Sequence, residues 1–577
     1  MKKLVNLGLA IFAFAAMASC SSSKAISEMA EGFSPEAATS SVTLTCSPEV
    51  LTLRNDVVPA VVSVDFAAGY FNSNVIAKVT PVMIHNDGEV AGTPFYFQGE
   101  DVEDNYTVVP EAGGAFSKII EFPFTEEMQL SELQLRIELK NAKKATNSFY
   151  MVNANTGAIV SDGSVTAQES GVVVAVGVNT LQRDFCYASL MDPMADDYKA
   201  VTHSVSKADL SYDINNSTVK SSALTSSQIA AFKEVVEATQ ANESATQSVS
   251  ANGYASPDGP EKLNDKLSSA RSESAKKAMD KFFKEMGIEA DVATYGEDWD
   301  GFKELVAASS IQDKNLILQV LSLYSSSAQR EAEIKNLSSV YTELKDDILP
   351  ELRRAQFVSN ISVKGMSDDE MMDLVYAENY SELTLEEMLY LSSSVIEDND
   401  TKVEVLTYAA KNFNDARAYN NLGIALAKAG DAEASLAAFN AATRSGDSSP
   451  TINKNLVLAN LNTNNYTEAK KYRGDAKAAA ALSAIEGNYA PAASNFEGYN
   501  AAVAHIMNNN YAAAKEALSS CKCAKGDYLR GVIASAEFSI GDGIYYIQKA
   551  VETDPSLKMK ALSDINLSNL FEGGLVL

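Results

Sequence analysis

Apolar and polar residues alternate in short runs over residues 43–200, which is the pattern of half-buried β-strands. Between two of these runs, residues 85–88 predict a hairpin turn. The predicted strands span residues 61–66, 75–80, 81–84, 95–97, 108–109, 118–122, 133–139 and 172–176. Short strands at this spacing are typical of an all-β sandwich, which we expect to act as a spacer or to bind a partner.

The pattern changes to a mixture of helices and strands over residues 201–365. Apolar faces with helical spacing occupy residues 224–236 and 263–286, and strands are predicted at 292–295 and 357–363. A helical insertion at about 302–349 separates these last two strands. The order β-α-β-α-β predicts an α+β domain with its helices on one face of a small mixed sheet.

From residue 366 onward the chain is nearly all helical, with a linker at 366–395 and repeated helical pairs over 396–577. The sequence Asn-Tyr-x-x-Ala recurs from Asn465, Asn488 and Asn510, about 22 residues apart, and is predicted to begin the second helix of each pair. Stacked pairs commonly expose a concave face that binds peptides. We therefore expect a docking platform for a protein partner, with a purely structural extension as the alternative.

The region 396–577 also resembles the tetratricopeptide (TPR) family in one repeat. The residues that match its template are Tyr419, Leu422, Gly423, Gly430, Phe439 and Ala442. The resemblance implies a TPR-like solenoid, so the whole chain is predicted to be multidomain: sandwich, α+β domain and helical repeats.

The N-terminus has the features of a targeting segment. Lys2 and Lys3 precede an apolar run at residues 4–17 that is too short for a permanent transmembrane helix. The following Met17-Ala18-Ser19-Cys20 resembles a bacterial lipobox, which implies a signal peptide at 1–19 and acylation of Cys20, including palmitate. A Ser-rich tether is expected at 20–42, with the protein anchored in the outer membrane and its body in the periplasm. The alternative is a plain secretory signal with an incidental cysteine.

The charge composition of the chain disfavours some classes of binding partner. The chain has 577 residues, with 47 basic against 76 acidic side chains and a formal charge of −29. Such acidity argues against nucleic acid and against anionic lipid as ligands. The length corresponds to about three or four domains, because single cores rarely exceed roughly 250 residues.

Candidate catalytic and metal-binding groups are sparse. His85, His203 and His505 lie far apart, and no nucleophile or phosphate-loop motif is present, so no enzymatic activity and no cofactor are predicted. A hydrolase of envelope glycans is the least favoured class. The carboxylates at residues 297–301 lack the twelve-residue loop of a calcium site, so a solvated turn is expected there.

Four cysteines follow Cys20. Cys46 and Cys186 either pair in an oxidising compartment or stay free. Cys521 and Cys523 are separated by one residue, a spacing that splays poorly around zinc, and no histidine clusters near them. No metal site is therefore predicted.

One stretch carries a binding hypothesis. Residues 253–259, Gly-Tyr-Ala-Ser-Pro-Asp-Gly, end an apolar segment and lead into a predicted helix that presents Asn264 and Arg271. A Gly/Pro loop leaves backbone N–H groups free, and a helix start adds partial positive charge. Together with a guanidinium group, these donors would suit a carboxylate.

This stretch resembles the signature of the OmpA C-terminal family, whose members hold peptidoglycan through the diaminopimelate of the stem peptide. Its pattern is roughly Gly-(Tyr/His)-(Thr/Ala)-Asp, then Asn-x-x-Leu-Ser-x-x-Arg-Ala. The matching positions are Gly253, Tyr254, Asn264, Leu267, Ser268 and Arg271. The family aspartate falls at Ser256 here.

The resemblance implies a role for each residue of this site. Arg271 would bind the stem-peptide carboxylate, and Asn264 would orient the loop. Asp258 or Ser256 would lie near the ligand amine, beside Tyr254.

The chain is also similar to envelope and fimbria-associated proteins of Bacteroidetes. Two functions follow as expectations. The first is a lipid-anchored protein that links peptidoglycan to a protein partner on the TPR-like face. The second is a scaffold or assembly factor for an envelope or fimbria-type complex, whose OmpA-like domain has lost the wall ligand.

Overall fold

The computed structural model describes residues 42–69, 71–143, 149–152, 159–160, 171–336 and 338–577. The predicted signal peptide and Cys20 lie outside the described residues. The chain divides into two compact units, one formed by the chain up to Ala195 together with Ile396–Leu577, and the other by Asp196–Val395. The β-rich N-terminal region and the C-terminal helices, predicted as separate domains, thus belong to one compact unit.

The N-terminal region is built from short strands, as the alternating pattern predicts. The described strands are β1 (Val42–Ser47), β2 (Leu51–Thr52), β3 (Val57–Phe66), β4 (Val75–His85), β5 (Gly88–Ala91), β6 (Phe95–Gly99), β7 (Thr107–Val109), β8 (Gly114–Pro123), β9 (Ser131–Asn141), β10 (Tyr150–Val152), β11 (Ile159–Val160), β12 (Gly171–Val176) and β13 (Val178–Asn179).

These strands form two main sheets. One has the order β1-β3-β8, and the other has the order β11-β10-β9-β4-β6-β7 with β5 and β12 paired to β4 and β9. Both sheets contribute to one apolar core, which includes Val62 and Phe66 from the first sheet and Phe97 and Leu135 from the second. The predicted strands at 75–80 and 81–84 form a single strand, and the hairpin is confirmed because His85 pairs with Gly88.

The second unit is the mixed α/β region. Its strands are β14 (Val201–Ser211), β15 (Ala245–Ala255), β16 (Asp291–Glu297) and β17 (Arg354–Lys364). Its helices are α1 (Ser227–Ala241), α2 (Glu261–Glu285), α3 (Trp299–Ala308), α4 (Lys314–Leu323), α5 (Ser327–Asn336), α6 (Ser338–Glu343), α7 (Asp368–Tyr376) and α8 (Leu385–Tyr390).

The sheet of this unit has the order β14-β17-β15-β16, in which β15 and β16 are parallel and the other neighbours are antiparallel. Phe232 of α1, Phe283 of α2 and Phe357 of β17 meet in one apolar core. Two helices thus pack on a mixed sheet, as expected, whereas β14 has no counterpart among the predicted strands. The helical insertion lies between β16 and β17 and has its own apolar cluster around Phe302 and Leu344.

The C-terminal region consists of helices throughout. They are α9 (Asn399–Phe413), α10 (Ala416–Ala429), α11 (Ala432–Arg444), α12 (Pro450–Asn462), α13 (Tyr466–Ala469), α14 (Ala476–Ile485), α15 (Ala490–Asn495), α16 (Gly498–Met507), α17 (Tyr511–Ala517), α18 (Ala524–Ala536), α19 (Ile540–Thr553), α20 (Leu557–Ser563) and α21 (Ser568–Glu572).

Each Asn-Tyr-x-x-Ala sequence stands at the start of a second helix, as predicted, since α13, α15 and α17 begin one or two residues after its asparagine. Close packing within a pair is visible at Gly423 of α10. A Cβ atom at this position would lie 2.8 Å from the ring of the fully buried Phe439 on α11. Only a glycine allows the two helices to approach this closely.

Candidate functional site

The loop predicted to bind a carboxylate lies between β15 and α2. Gly253 of β15 is packed directly against α2, because a Cβ atom there would come within 1.9 Å of the Ser268 carbonyl oxygen. This contact with the backbone of α2 explains why a glycine is needed at position 253. It also brings the start of α2 and Arg271 beneath the loop.

Arg271 is buried, with 1% of its surface exposed. Its Nε donates to the Asn216 carbonyl at 3.1 Å, Nη1 to the Tyr254 carbonyl at 2.9 Å, and Nη2 to the Asp213 carbonyl at 3.3 Å. The guanidinium carbon also lies 5.4 Å from the ring centroid of Tyr212. Burial lowers the pKa of Arg271 to about 10. Every guanidinium nitrogen therefore already donates to the protein itself.

Ser256 and Asp258 form an ion-paired cluster with Arg353. The Ser256 hydroxyl donates to Asp258 Oδ1 in a short hydrogen bond, and Arg353 Nη2 lies 3.2 Å from Asp258 Oδ2. Arg353 Nε also donates to Ser256 Oγ at 3.3 Å. The side chains of Arg353 and Asp258 are only 11% and 16% exposed. The guanidinium group of Arg353 thus occupies the position beside Asp258 and Ser256 where the resemblance implies the amine of a ligand.

Arg353 has no signal in the sequence that would link it to this loop. It lies 95 residues beyond Asp258, after the helical insertion, and reaches the loop because β17 pairs with β15. Only the pairing of these strands brings the two charges together.

Tyr254 and Asn264 flank the loop on different sides. The Tyr254 ring stacks on Tyr295 with 5.0 Å between centroids, and burial raises the pKa of Tyr254 to about 12. Asn264 Nδ2 donates to the Gly259 carbonyl at 3.3 Å and to Glu297 Oε1 at 2.8 Å. Asn264 therefore fastens the end of the loop to the end of β16.

The acidic residues at 297–301 are structured, so the expectation of a solvated turn is wrong. Asp298 is 5% exposed, accepts the Gly301 N–H at 2.8 Å at the start of α3, and pairs with Arg354 at 2.9 Å. Glu297 accepts from the Trp299 indole at 3.1 Å. Within the described ranges, no group of three His, Cys, Asp or Glu residues is arranged to hold a metal ion.

A second set of polar contacts lies on the helical region, and it involves the segment Phe185–Ala195, which we call the clamp segment. Its path contains a short 3₁₀ turn at Tyr187–Leu190 and is otherwise without a helix or strand. Phe185, Tyr187 and Leu190 are buried in the apolar core of the helical region. This segment, which is predicted from the sequence to belong to the β domain that ends at residue 200, packs in the structure with the helices.

Four buried asparagines bond the backbone of the clamp segment. One of them, Asn420, bonds this backbone only at the Asp192 carbonyl, to which it donates at 3.2 Å. We call the other three, each of which bonds both the N–H and the carbonyl of one residue, the asparagine clamp. Asn455 Oδ1 accepts the Asp192 N–H at 3.0 Å while its Nδ2 donates to the Asp192 carbonyl at 2.8 Å. Asn421 makes the same pair of bonds with Met194, at 2.8 and 2.9 Å.

The third member of the clamp is Asn500, which bonds the N–H and carbonyl of Cys186 at 2.7 and 3.1 Å. The three asparagines lie on α10, α12 and α16, each the first helix of a pair. A primary amide that accepts an N–H and donates to a C=O satisfies one whole residue of backbone. The clamp therefore binds the main chain of the segment and not its side chains.

Charge supports the same contact. Lys454 is 3% exposed, and its ammonium lies 2.6 Å from Asp192 and 3.1 Å from Asp475. Asp184, just before the clamp segment, pairs with Lys560, and burial raises the pKa of Asp184. The first helices of the pairs, predicted to dock a protein partner, thus hold a segment of the same chain.

The cysteines of the described region are all free thiols. Cys46 is buried in the β core and Cys186 is exposed on the clamp segment, so the optional bond between them is not formed.

The described residues also line a groove and a small cavity. A groove of about 840 Å³ runs beside β6 and β8 and is lined by residues such as Phe95, Tyr106 and Lys118. A cavity of about 10 Å³ beside Pro257 and Trp299 has room for little more than one water molecule.

Comparison with known proteins adds no family assignment, since no protein-family model matches the chain and no characterised protein is detectably similar to it. Among the described residues, none of the helices combines the length and the apolar character needed to cross a bilayer.

Replacing Arg271 by Met should lower the free energy of unfolding by about 3 to 5 kcal/mol, because the three hydrogen bonds that the buried guanidinium donates to backbone carbonyls are lost. Urea denaturation would measure this change. Lys266→Met on the exposed side of α2 is the matched control and should change stability by less than about 0.5 kcal/mol. Equal stabilities for the two variants would contradict a structural role for Arg271.

Replacing Asn455 by Ala should lower the stability of the first unit by about 1 to 3 kcal/mol, because the Asp192 N–H loses its partner, the Asp192 carbonyl keeps only the Asn420 amide, and Asn420 Oδ1 loses a donor. Limited proteolysis should then cut the clamp segment faster than in the native chain. Asn462→Ala, at the partly exposed end of the same helix, is the control and should leave the cleavage rate unchanged. An unchanged rate in Asn455→Ala would contradict the clamp.

Proposed function

We propose that the chain is a lipid-anchored, non-catalytic scaffold of the outer membrane whose periplasmic body supports an envelope or fimbria-type protein complex. In this proposal the second unit is an OmpA-like domain that does not depend on a wall ligand, and the helical region is a TPR-like solenoid. The lipid on Cys20 holds the chain at the membrane.

The observation that carries this choice is the pairing of Asp258 with Arg353, next to Arg271, whose three guanidinium nitrogens each donate to a backbone carbonyl. A stem peptide would have to displace these contacts. A charge-assisted hydrogen bond contributes about 1.5 to 3 kcal/mol, and a ligand would first have to break the partly buried Asp258–Arg353 pair and the hydrogen bonds that Ser256 adds to it. Ligand binding at this loop would therefore be marginal.

The wall-linking alternative is supported by the six motif positions that match the OmpA pattern. The replacement of the family aspartate by Ser256 weakens it, because a hydroxyl group does not pair with an amine as a carboxylate does.

The asparagine clamp supports the scaffold proposal on the helical side. It fastens the segment that follows the β region to the first helices of the pairs, so the β region and the solenoid act as one body. An anchor at the N-terminus then positions both. A protein partner would contact surfaces other than those that hold the clamp segment, and crosslinking in the native envelope would identify it.

The scaffold proposal predicts that the purified chain stays in the supernatant when it is mixed with insoluble peptidoglycan and centrifuged. The matched comparison is Asp258→Asn, which removes the carboxylate that a ligand amine would need. Pelleting of the native chain together with loss of pelleting in Asp258→Asn would overturn the proposal in favour of wall binding.

The anchor predicts that Cys20→Ser releases the chain from the membrane fraction, because the acyl chains are lost. Mass analysis of the mature N-terminus should find a lipid-modified cysteine in the native chain. A native N-terminus without lipid would contradict the anchor.

A further inference from the structure

Two thiols meet just before α18. Cys521 follows the turn after α17, and Cys523 is the residue that caps the start of α18. Their sulfur atoms lie 2.9 Å apart. A disulfide bond needs a separation of about 2.05 Å, so a small movement would join them.

The first turn of α18 is shaped around both sulfurs. The Gly526 N–H points to Cys523 Sγ at 3.4 Å, and a Cβ atom at position 526 would lie 2.6 Å from Cys521 Sγ. Glycine at this position therefore leaves the space in which the second sulfur sits.

The two thiols differ in their surroundings. Cys523 is exposed, whereas Cys521 is partly buried. Burial and the neighbouring thiol raise the pKa of Cys521 to about 11. The thiolate is the reactive form of a cysteine, and access decides which sulfur meets a second molecule. Cys523 is therefore the group placed to attack, and Cys521 is the group placed to follow.

Arg530 holds the turn that carries Cys521. Its Nη2 donates to the carbonyls of Leu518 at 2.5 Å and Cys521 at 2.7 Å, while Nη1 pairs with Asp527 at 2.7 Å. These contacts fix the backbone of Cys521 to α18. The two sulfurs are thereby kept adjacent before any bond forms.

We propose that Cys521 and Cys523 form a redox dithiol that exchanges with disulfides of other molecules. In the first step the Cys523 thiolate attacks one sulfur of the incoming disulfide, forms a mixed disulfide and releases the other sulfur as a thiolate. In the second step Cys521, after losing its proton, attacks Cys523 Sγ and releases the remaining thiol.

The atoms and electrons of this exchange balance. Two protein thiols are oxidised to one disulfide, and one external disulfide is reduced to two thiols that take up the two protons. The external reactant is a protein or low-molecular-weight disulfide. Glutathione disulfide serves as the probe.

The test equilibrates the full chain with mixtures of reduced and oxidised glutathione, traps free thiols by alkylation and digests with trypsin. Cleavage after Lys522 separates the two cysteines, so their peptides stay joined only through a disulfide. We expect this link to form in oxidised buffer and to disappear in excess reduced glutathione. Cys46, which is buried, should remain a free thiol throughout.

Single variants assign the two roles. Cys521→Ser should accumulate a stable glutathione adduct on Cys523, because the following thiol is gone. In Cys523→Ser, Cys521 should react with glutathione disulfide at least roughly tenfold more slowly than Cys523 does in Cys521→Ser, because the Cys521 thiol is partly buried and mostly protonated. Circular dichroism would verify that both variants keep the helical signal of the native chain. If a variant fails to fold, the experiment on the native chain still tests the proposal, because it needs no substitution.

Three results would overturn the proposal. One is the absence of a Cys521–Cys523 link at any glutathione ratio. Another is a link that excess reduced glutathione does not break, which would make the bond purely structural. The third is a link from either residue to Cys186 as the main product.

Discussion

The asparagine clamp is the interaction on which the first unit depends. A segment without regular secondary structure cannot be buried unless its N–H and C=O groups find partners, because an unpaired buried group costs about 1 to 3 kcal/mol. Asn421, Asn455 and Asn500 supply both partners for three residues of the clamp segment. This is how the chain crosses the first helices of the pairs with only one short 3₁₀ turn of its own. The β region and the helices belong to one compact unit.

Arg271 solves the same problem in the second unit. Its guanidinium group joins carbonyls from the segment after β14 and from the end of β15, where regular pairing stops. An arginine in a motif that suits a carboxylate therefore serves backbone oxygens instead. Arg353 likewise pairs within the protein, because it neutralises Asp258 in the loop. The polar residues around the loop are bound to one another, and this mutual pairing supports a scaffold more than a receptor for the cell wall.

The dithiol at the start of α18 follows a different principle, since its main feature is the contact between two sulfurs, although Cys523 Sγ also accepts the Gly526 N–H. Cys523 caps a helix that begins in solvent, and Cys521 is held beside it by the turn that Arg530 fixes. A glycine leaves room for both. Reactivity here would come from proximity and exposure in an otherwise close-packed array of helices, a feature that one residue of spacing between cysteines does not reveal.

Local regularity is what the sequence by itself determined. Period-two alternation located β3, β4 and β9, and helical spacing located α1, α2 and the paired helices, because burial of one face imposes a period on the chain. β14 escaped because its first five residues are all exposed and give no apolar run. The tertiary structure alone decided the partners of polar groups: Arg353 for Asp258, the asparagine clamp for residues 186–194, and one thiol for the other. Such contacts join residues up to 314 positions apart. Each of these polar groups could have been paired by a different neighbouring segment, so the hydrophobic periodicity of the sequence does not predict which partner it has.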